Sequence, residues 1–120
     1  TQTIALRTYE DGLSQHSLQQ ILDYIHSHLD QDLSLETLAT LANLSKYHFI
    51  CLFKRSKGMT PHQYVIQQRI QRAQELLRDR KLAISEISLA CGFANQSHFT
   101  RLFHKYTSVP PKAYRDQCSC

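Results

Sequence analysis

Residues 61–78 read PHQYVIQQRIQRAQELLR, and nothing in this stretch interrupts a helix: its proline stands at the first position, and it contains no glycine and no extended run of β-branched residues. Thr60 suits the N-cap, Pro61 the first helical position, and Gln63 completes a T-x-x-Q capping box. Ile66, Ile70, Ala73 and Leu77 recur at spacings of four and three and form an apolar stripe, with Arg69, Arg72 and Arg78 on the polar side. At about 1.5 Å per residue such a helix is about 27 Å long, enough to hold two modules a fixed distance apart.

The flanks of this helix carry one pattern written twice. Before it runs LETLATLANLSKYHFICLFKRSKGMTPHQY, residues 35–64, and after it ISEISLACGFANQSHFTRLFHKYTSVPPKAYR, residues 84–115. Leu35, Leu38, Ala42 and Leu44 match Ile84, Ile87, Cys91 and Phe93 at an offset of 49. His48, Phe49, Leu52, Phe53, Pro61 and Tyr64 match His98, Phe99, Leu102, Phe103, Pro111 and Tyr114 at an offset of 50, one extra residue falling near Ala94. Two copies of one supersecondary unit around a spacer predict a tandem arrangement.

Within each copy the elements are short helices. Ser34 caps a helix over about Leu35–Ala42, Asn43-Leu44 makes a brief turn, and Ser45 caps a helix over Lys46–Lys57 that stops at Gly58. Gly92-Phe93-Ala94 and Asn95 take the turn and cap positions in the second copy, whereas Ala83 stands where Ser34 capped the first, a loss of about 1 kcal/mol. Ser17, with Gln20 at the capping-box position, is expected to open a preceding helix whose stripe is Leu18, Ile21, Leu22, Ile25 and Leu29. The expectation is an all-α chain of about seven helices: a linker or tail over 1–16, a first helix-turn-helix subdomain over 17–58, the linker helix within 59–80, and a second subdomain with a short C-terminal helix and tail over 81–120.

Helical geometry sorts the faces at 100° per residue. Phe49, Leu52, Phe53 and Ser56 form the buried side of one helix, and Phe99, Leu102, Phe103 and Tyr106 that of its repeat. The opposed rows are Tyr47, Ile50, Cys51 and Lys54 in the first copy and Ser97, Thr100, Arg101 and His104 in the second.

With 120 residues, 42% of them hydrophobic, the chain can bury one respectable core or two small ones. It has no run of about 18 apolar residues and no basic-then-apolar leader, so it is expected in the cytoplasm, away from membranes. It begins with Thr1, which suggests a fragment or a processed product. The formal charge of +4 is unevenly spread: residues 1–44 hold six acids and one base, leaving nine net positive charges on residues 45–120. A basic segment beside an acidic one suggests a polyanion-facing surface. The four cysteines read as free thiols, Cys118 and Cys120 lying in a polar tail without further ligands at a familiar metal-site spacing.

The motifs carry a resemblance. I-S-E-I-S-L-A-C-G-F, then S-H-F-T-R-L-F-H-K-Y, then V-P-P-K-A-Y-R resembles the second helix-turn-helix of the AraC/XylS family of bacterial transcription regulators. L-A-T-L-A-N-L-S-K-Y-H-F-I-C-L-F-K with G-M-T-P-H-Q-Y and R-I-Q-R-A-Q-E-L-L resembles the first unit. The resemblance covers roughly residues 17–116. It implies sequence-specific binding of double-stranded DNA by two recognition helices in successive major grooves, which lie about 34 Å apart. Carried over by position, it makes Tyr47, Ile50 and Cys51, with Gln96, Ser97, Thr100 and Arg101, the base-reading residues. Ser45, Lys46, Lys54, Lys57, Asn95, His104 and Lys105 would face phosphate. Ile50 and Cys51 depart from the polar or basic side chains common there and leave the first helix mainly apolar contacts with thymine methyls. Arg101 suits bidentate guanine recognition and equally a phosphate contact.

The resemblance further implies contact with RNA polymerase in activators and, in larger members, an N-terminal effector-binding or dimerisation domain. No cofactor, metal site or convergent catalytic set is expected. His26 and His28 point to different sides of a helix, and His48 and His98 sit at equivalent repeat positions beside core phenylalanines. The competing reading is a helical protein-interaction module with an exposed apolar groove. Ionic strength separates the two, because phosphate binding weakens steeply with salt.

Overall fold

A computed structural model of the chain describes residues 12–118. Among them are seven helices and no strand: α1 (Gln15–Ser27), α2 (Leu35–Leu41), α3 (Lys46–Lys57), α4 (Pro61–Leu77), α5 (Ile84–Ala90), α6 (Gln96–Thr107) and α7 (Pro111–Gln117). The chain divides into two compact units inside α4: a first running to Val65, and a second from Ile66 onward that also takes in Leu29–Asp32. Residues 1–11 of the tail expected over 1–16, and Cys120, lie outside the described residues.

In the first unit α1 starts earlier than its sequence suggests. Ser14, not Ser17, is the N-cap, its side chain accepting from Ser17 N at 3.1 Å. The reason is a contact distant in sequence: Leu13 N donates to Ser56 Oγ at 2.9 Å and Gly12 sits against Ser56, so the chain is already fixed when it reaches Ser14. Ile21 and Ile25 are fully buried and Leu18 and Leu22 only half, while Leu29, the last of the expected stripe, lies beyond the end of the helix and is buried as part of the second unit.

α1 packs on α2 and α2 on α3. Small, buried Ala39 allows the close approach of the turn, where Leu44 N donates to the Ala39 carbonyl at 3.0 Å. Asn43 holds φ at 57°, the left-handed conformation that asparagine tolerates better than most residues. Ser45 caps α3, and Gly58, at φ 77°, ends it. Phe49, Phe53 and Tyr64 form an aromatic chain with ring centroids 5.7 Å apart at each step. The expected capping box opens α4, Thr60 N donating to Gln63 Oε1 at 3.0 Å and Gln63 N to Thr60 Oγ1 at 3.2 Å. His26 Nε2 and Tyr64 Oη meet at 3.1 Å, while His28 Nδ1 turns to the Tyr24 carbonyl at 2.8 Å, so the two histidines do face different ways.

The second unit repeats this plan. Phe93 N donates to the Ser88 carbonyl at 3.0 Å, the counterpart of the Leu44–Ala39 bond. Buried Ser88 satisfies its hydroxyl on the Ser85 carbonyl at 2.9 Å. Phe99, Phe103 and Tyr114 form the equivalent aromatic chain at 5.6 and 5.5 Å, and Phe93 extends it by one ring at 5.1 Å. The stripe Ile66, Ile70, Ala73 and Leu77 is buried in this core with Ile87, Cys91 and the three phenylalanines. Ala83 makes no side-chain cap, as its identity predicts, and Ser85 supplies no substitute.

Three expectations fail here. Tyr106 is 39% exposed instead of buried, and Leu102 is only partly buried. α6 ends one residue after Tyr106, at Thr107, and a phenol at a helix end keeps its polar tip in water. Arg69 does not lie on an open polar face: its Nε donates to the Leu29 carbonyl at 3.0 Å and its terminal nitrogen to the Gln31 carbonyl at 2.7 Å. Burial pulls its pKa down while Asp32 and Asp30 push it back up, and the guanidinium stays charged. Arg115 does the same for the α4–α5 connection, donating to the carbonyls of Leu77 at 2.9 Å, Asp79 at 3.2 Å and Leu82 at 2.7 Å. Each arginine places positive charge and donors on backbone carbonyls of a connection that follows a helix, and Arg115 also takes the carbonyl of Leu77, the last residue of α4.

Candidate nucleic-acid interface

A helix-turn-helix presents whichever face of its second helix the core does not bury, and in each unit burial of the phenylalanines decides this. Phe49 and Phe53 are fully buried in α3, so Tyr47, Cys51 and Lys54 stand on the exposed side, Tyr47 at 70% exposure, with Ile50 half-buried between. Phe99 and Phe103 anchor α6 in the same way. Gln96, Ser97, Arg101, His104 and Lys105 are exposed on it, and Thr100 is half-buried.

The helix starts are set by their caps. Ser45 Oγ accepts from His48 N at 3.3 Å and lies 3.3 Å from His48 Nδ1; Asn95 Oδ1 accepts from His98 N at 2.8 Å. These side-chain oxygens are therefore committed to the backbone, and Asn95 has its amide NH2 left to offer a ligand. Asn95, Ser97, His98 and Arg101 line a shallow open depression of about 400 Å³ at the start of α6. His98 stands edge-on to Phe93, and its Nδ1 is buried without a hydrogen-bond partner. The sequence grouped this residue with its repeat counterpart His48, whose Nδ1 meets Ser45 Oγ; the replacement of Ser45 by Asn95 at the cap was the signal that the two would differ.

The cations divide by how free they are. Lys54, Arg101 and Lys105 project from the outward faces. Lys46 pairs with Glu36 at 3.2 Å, both side chains being largely exposed, and a hydrogen bond from Glu36's own backbone, then the lysine, hold the Glu36 carboxyl below its ordinary value. So open an ion pair contributes little. Lys57 lies half-buried with its ammonium 5.4 Å from the centroid of the Tyr64 ring, a cation–π contact. Cys51 is exposed on the outward row of α3; Cys91 is buried, which pushes its thiol up to about 11 against the pull of Arg72 and Arg69, so it is neutral and unreactive at pH 7. Cys118 is exposed just after α7.

Two tandem helix-turn-helix units, each with its second helix anchored by phenylalanines and turned outward with basic and hydroxyl side chains, define a DNA-binding domain. A family model described as a helix-turn-helix domain matches residues 38–117, and the chain belongs to this AraC-type family of transcription regulators. Among solved structures, an AraC-type DNA-binding-domain regulator from Chromobacterium violaceum is 28% identical with a TM-score of 0.80, covering 88% of this chain and 94% of that one. The DNA-binding domain of AdpA, solved with a target DNA, is 30% identical with a TM-score of 0.80, covering 84% of this chain and 91% of that one. Among curated proteins, the probable transcriptional regulator LumQ of Photobacterium leiognathi is 36% identical over 93 residues, 78% of this chain and 38% of that protein. The HTH-type regulator YobQ of Bacillus subtilis is 36% identical over 107 residues, 89% and 44% respectively. The chain thus spans about two fifths of the length of these two relatives.

Proposed function

We propose that this domain binds duplex DNA sequence-specifically as a monomer, with α3 and α6 each entering a major groove. Tyr47, Ile50 and Cys51 on α3 and Gln96, Ser97, Thr100 and Arg101 on α6 read base edges; Ser45, Lys46, Lys54, Lys57, Asn95, His104 and Lys105 hold phosphates. The observation that carries this reading is the row Ser97, Thr100, Arg101 and His104, which leaves one side of α6 polar and basic while Phe99 and Phe103 on the other are fully buried. Discrimination is concentrated in α6, because Arg101 and two hydroxyls can exchange hydrogen bonds with bases, whereas Ile50 and Cys51 offer apolar or weak contacts.

The domain acts by binding, without catalysis, in the cytoplasm. The working division is that of the repeat: subdomains over 17–58 and 81–120, joined by the linker helix within 59–80. In the full protein, an effector-binding or dimerisation domain precedes it and RNA polymerase is a further partner; that the solved YesN response-regulator chain from Fusobacterium nucleatum, 28% identical with a TM-score of 0.79, is a C-terminal domain supports a preceding domain.

The test is selection of preferred duplexes followed by titration of Arg101→Ala against single-base-pair substitutions. A bidentate guanine contact predicts relaxed preference at one or two positions, by about 1–3 kcal/mol. A uniform loss across all duplexes would make Arg101 a phosphate residue, and absence of any affinity at low ionic strength would remove the proposal.

A further inference from the structure

We infer that the α4–α5 connection, residues 78–82, is a second DNA-backbone contact of the C-terminal unit, in which Arg80 and Lys81 engage phosphates and Arg78 adds to the local field. The inference rests on the DNA-binding reading above and extends it to residues outside both recognition helices.

The repeat exposes the feature. At the offset of 49, Asp30-Gln31-Asp32 in the α1–α2 connection corresponds to Asp79-Arg80-Lys81 in the α4–α5 connection, and Leu29 corresponds to Arg78. One structural position is thus acidic in the first copy and strongly basic in the second. Packing does not require this basicity, since Arg78, Arg80 and Lys81 are all exposed. Among the described residues, no carboxylate forms a salt bridge with any of the three. The acid within the loop is itself committed, Asp79 Oδ1 accepting from Lys81 N at 3.0 Å.

The loop is also rigidly held. Arg115 grips the carbonyls of Leu77, Asp79 and Leu82, so the backbone carrying Arg80 and Lys81 is fixed at both ends by one guanidinium. Lys112 stands one turn before Arg115 on the same face of α7 and is exposed, which adds a fourth cation beside the loop. A pre-ordered cluster loses little freedom on binding, and its lysine and arginine side chains suit a row of phosphates.

Position selects the polyanion. The loop ends at the start of α5, the first helix of the second helix-turn-helix, and in this motif the first helix crosses the sugar-phosphate backbone while the second lies in the groove. Cations at the leading end of α5 therefore stand where a phosphate strand passes.

The test is a salt titration of duplex binding for the wild type, for Arg80→Ala/Lys81→Ala, and for the charge-preserving Arg80→Lys/Lys81→Arg. Each lost phosphate contact removes about 0.9 from the slope of log affinity against log salt, so the alanine pair should flatten it by about 2. Affinity should fall by the same factor for preferred and unrelated duplexes, and the charge-preserving pair should restore both quantities. An unchanged slope in the alanine pair beside a normally binding wild type would overturn the loop contact alone, as would a loss confined to particular base pairs. A wild type with no affinity for any duplex would remove the proposed function and this contact with it.

Discussion

Gly58 and Gly92 offer a controlled comparison, because both hold a left-handed backbone, φ 77° and 87°, but in different surroundings. A Cβ added at Gly58 meets nothing within 4 Å, so Gly58→Ala should cost only the conformational penalty, about 1–2 kcal/mol. A Cβ at Gly92 would run into the Leu29 carbonyl oxygen and come within 2.9 Å of Arg69 Nε, the two ends of one hydrogen bond. Gly92→Ala therefore adds the loss of the charged Arg69 Nε hydrogen bond, worth about 1.5–3 kcal/mol, for a total of about 2.5–5 kcal/mol.

Urea and thermal denaturation of both variants measure this. Gly58→Ala should lower Tm by about 4–8 °C and Gly92→Ala by at least twice as much. If the collision with the Arg69 clamp is the cause, Gly92→Ala should be milder in an Arg69→Ala background, with a coupling energy of about 1 kcal/mol or more. Equal penalties for the two glycines, or strict additivity with Arg69→Ala, would refute the reasoning.

Ala83→Ser should stabilise the protein by about 0.5–1 kcal/mol, because Ala83 already has the extended backbone of an N-cap and lacks only the oxygen; a melt resolves it. Phe103→Ala should cost about 3–5 kcal/mol, since that ring is fully buried between Phe99 and Tyr114, and denaturant unfolding measures the loss. Cys91 should make stability fall at alkaline pH: the unfolded thiol ionises near 9.0 while the folded one holds its proton to about 11, so the stabilisation is present below pH 9 and is lost between 9 and 11. The measurement is Tm against pH for the wild type and Cys91→Ala, whose decline over that window should be shallower.

Much of this architecture can be derived from sequence because local rules agree with one another. The T-x-x-Q box at Thr60, the caps Ser34, Ser45 and Asn95, and the stop at Gly58 all involve partners within four residues, whose geometry follows from helix formation alone. The phenylalanine spacing likewise fixes the buried face of α3 and α6, and therefore the outward one, without knowledge of what packs against it. The tandem repeat doubles the evidence for each element.

Tertiary structure alone decided the long-range pairings. Arg69 lies forty residues from Leu29 and Arg115 thirty-eight from Leu77, and nothing in a helical wheel says that a polar arginine will turn inward to unpaired carbonyls. The same holds for Ser56, whose hydroxyl fixes Leu13 and moves the start of α1 to Ser14, and for Lys46, partly engaged by Glu36. Tyr106 has the right periodicity for the core and remains exposed, because periodicity fixes the direction a residue faces, and the end of α6 and the tyrosine's own polar tip then decide how much covers it. Local hydrogen bonds and apolar spacing are written in contiguous residues; which carbonyl meets which guanidinium depends on how the chain returns on itself, and only the folded chain contains that information.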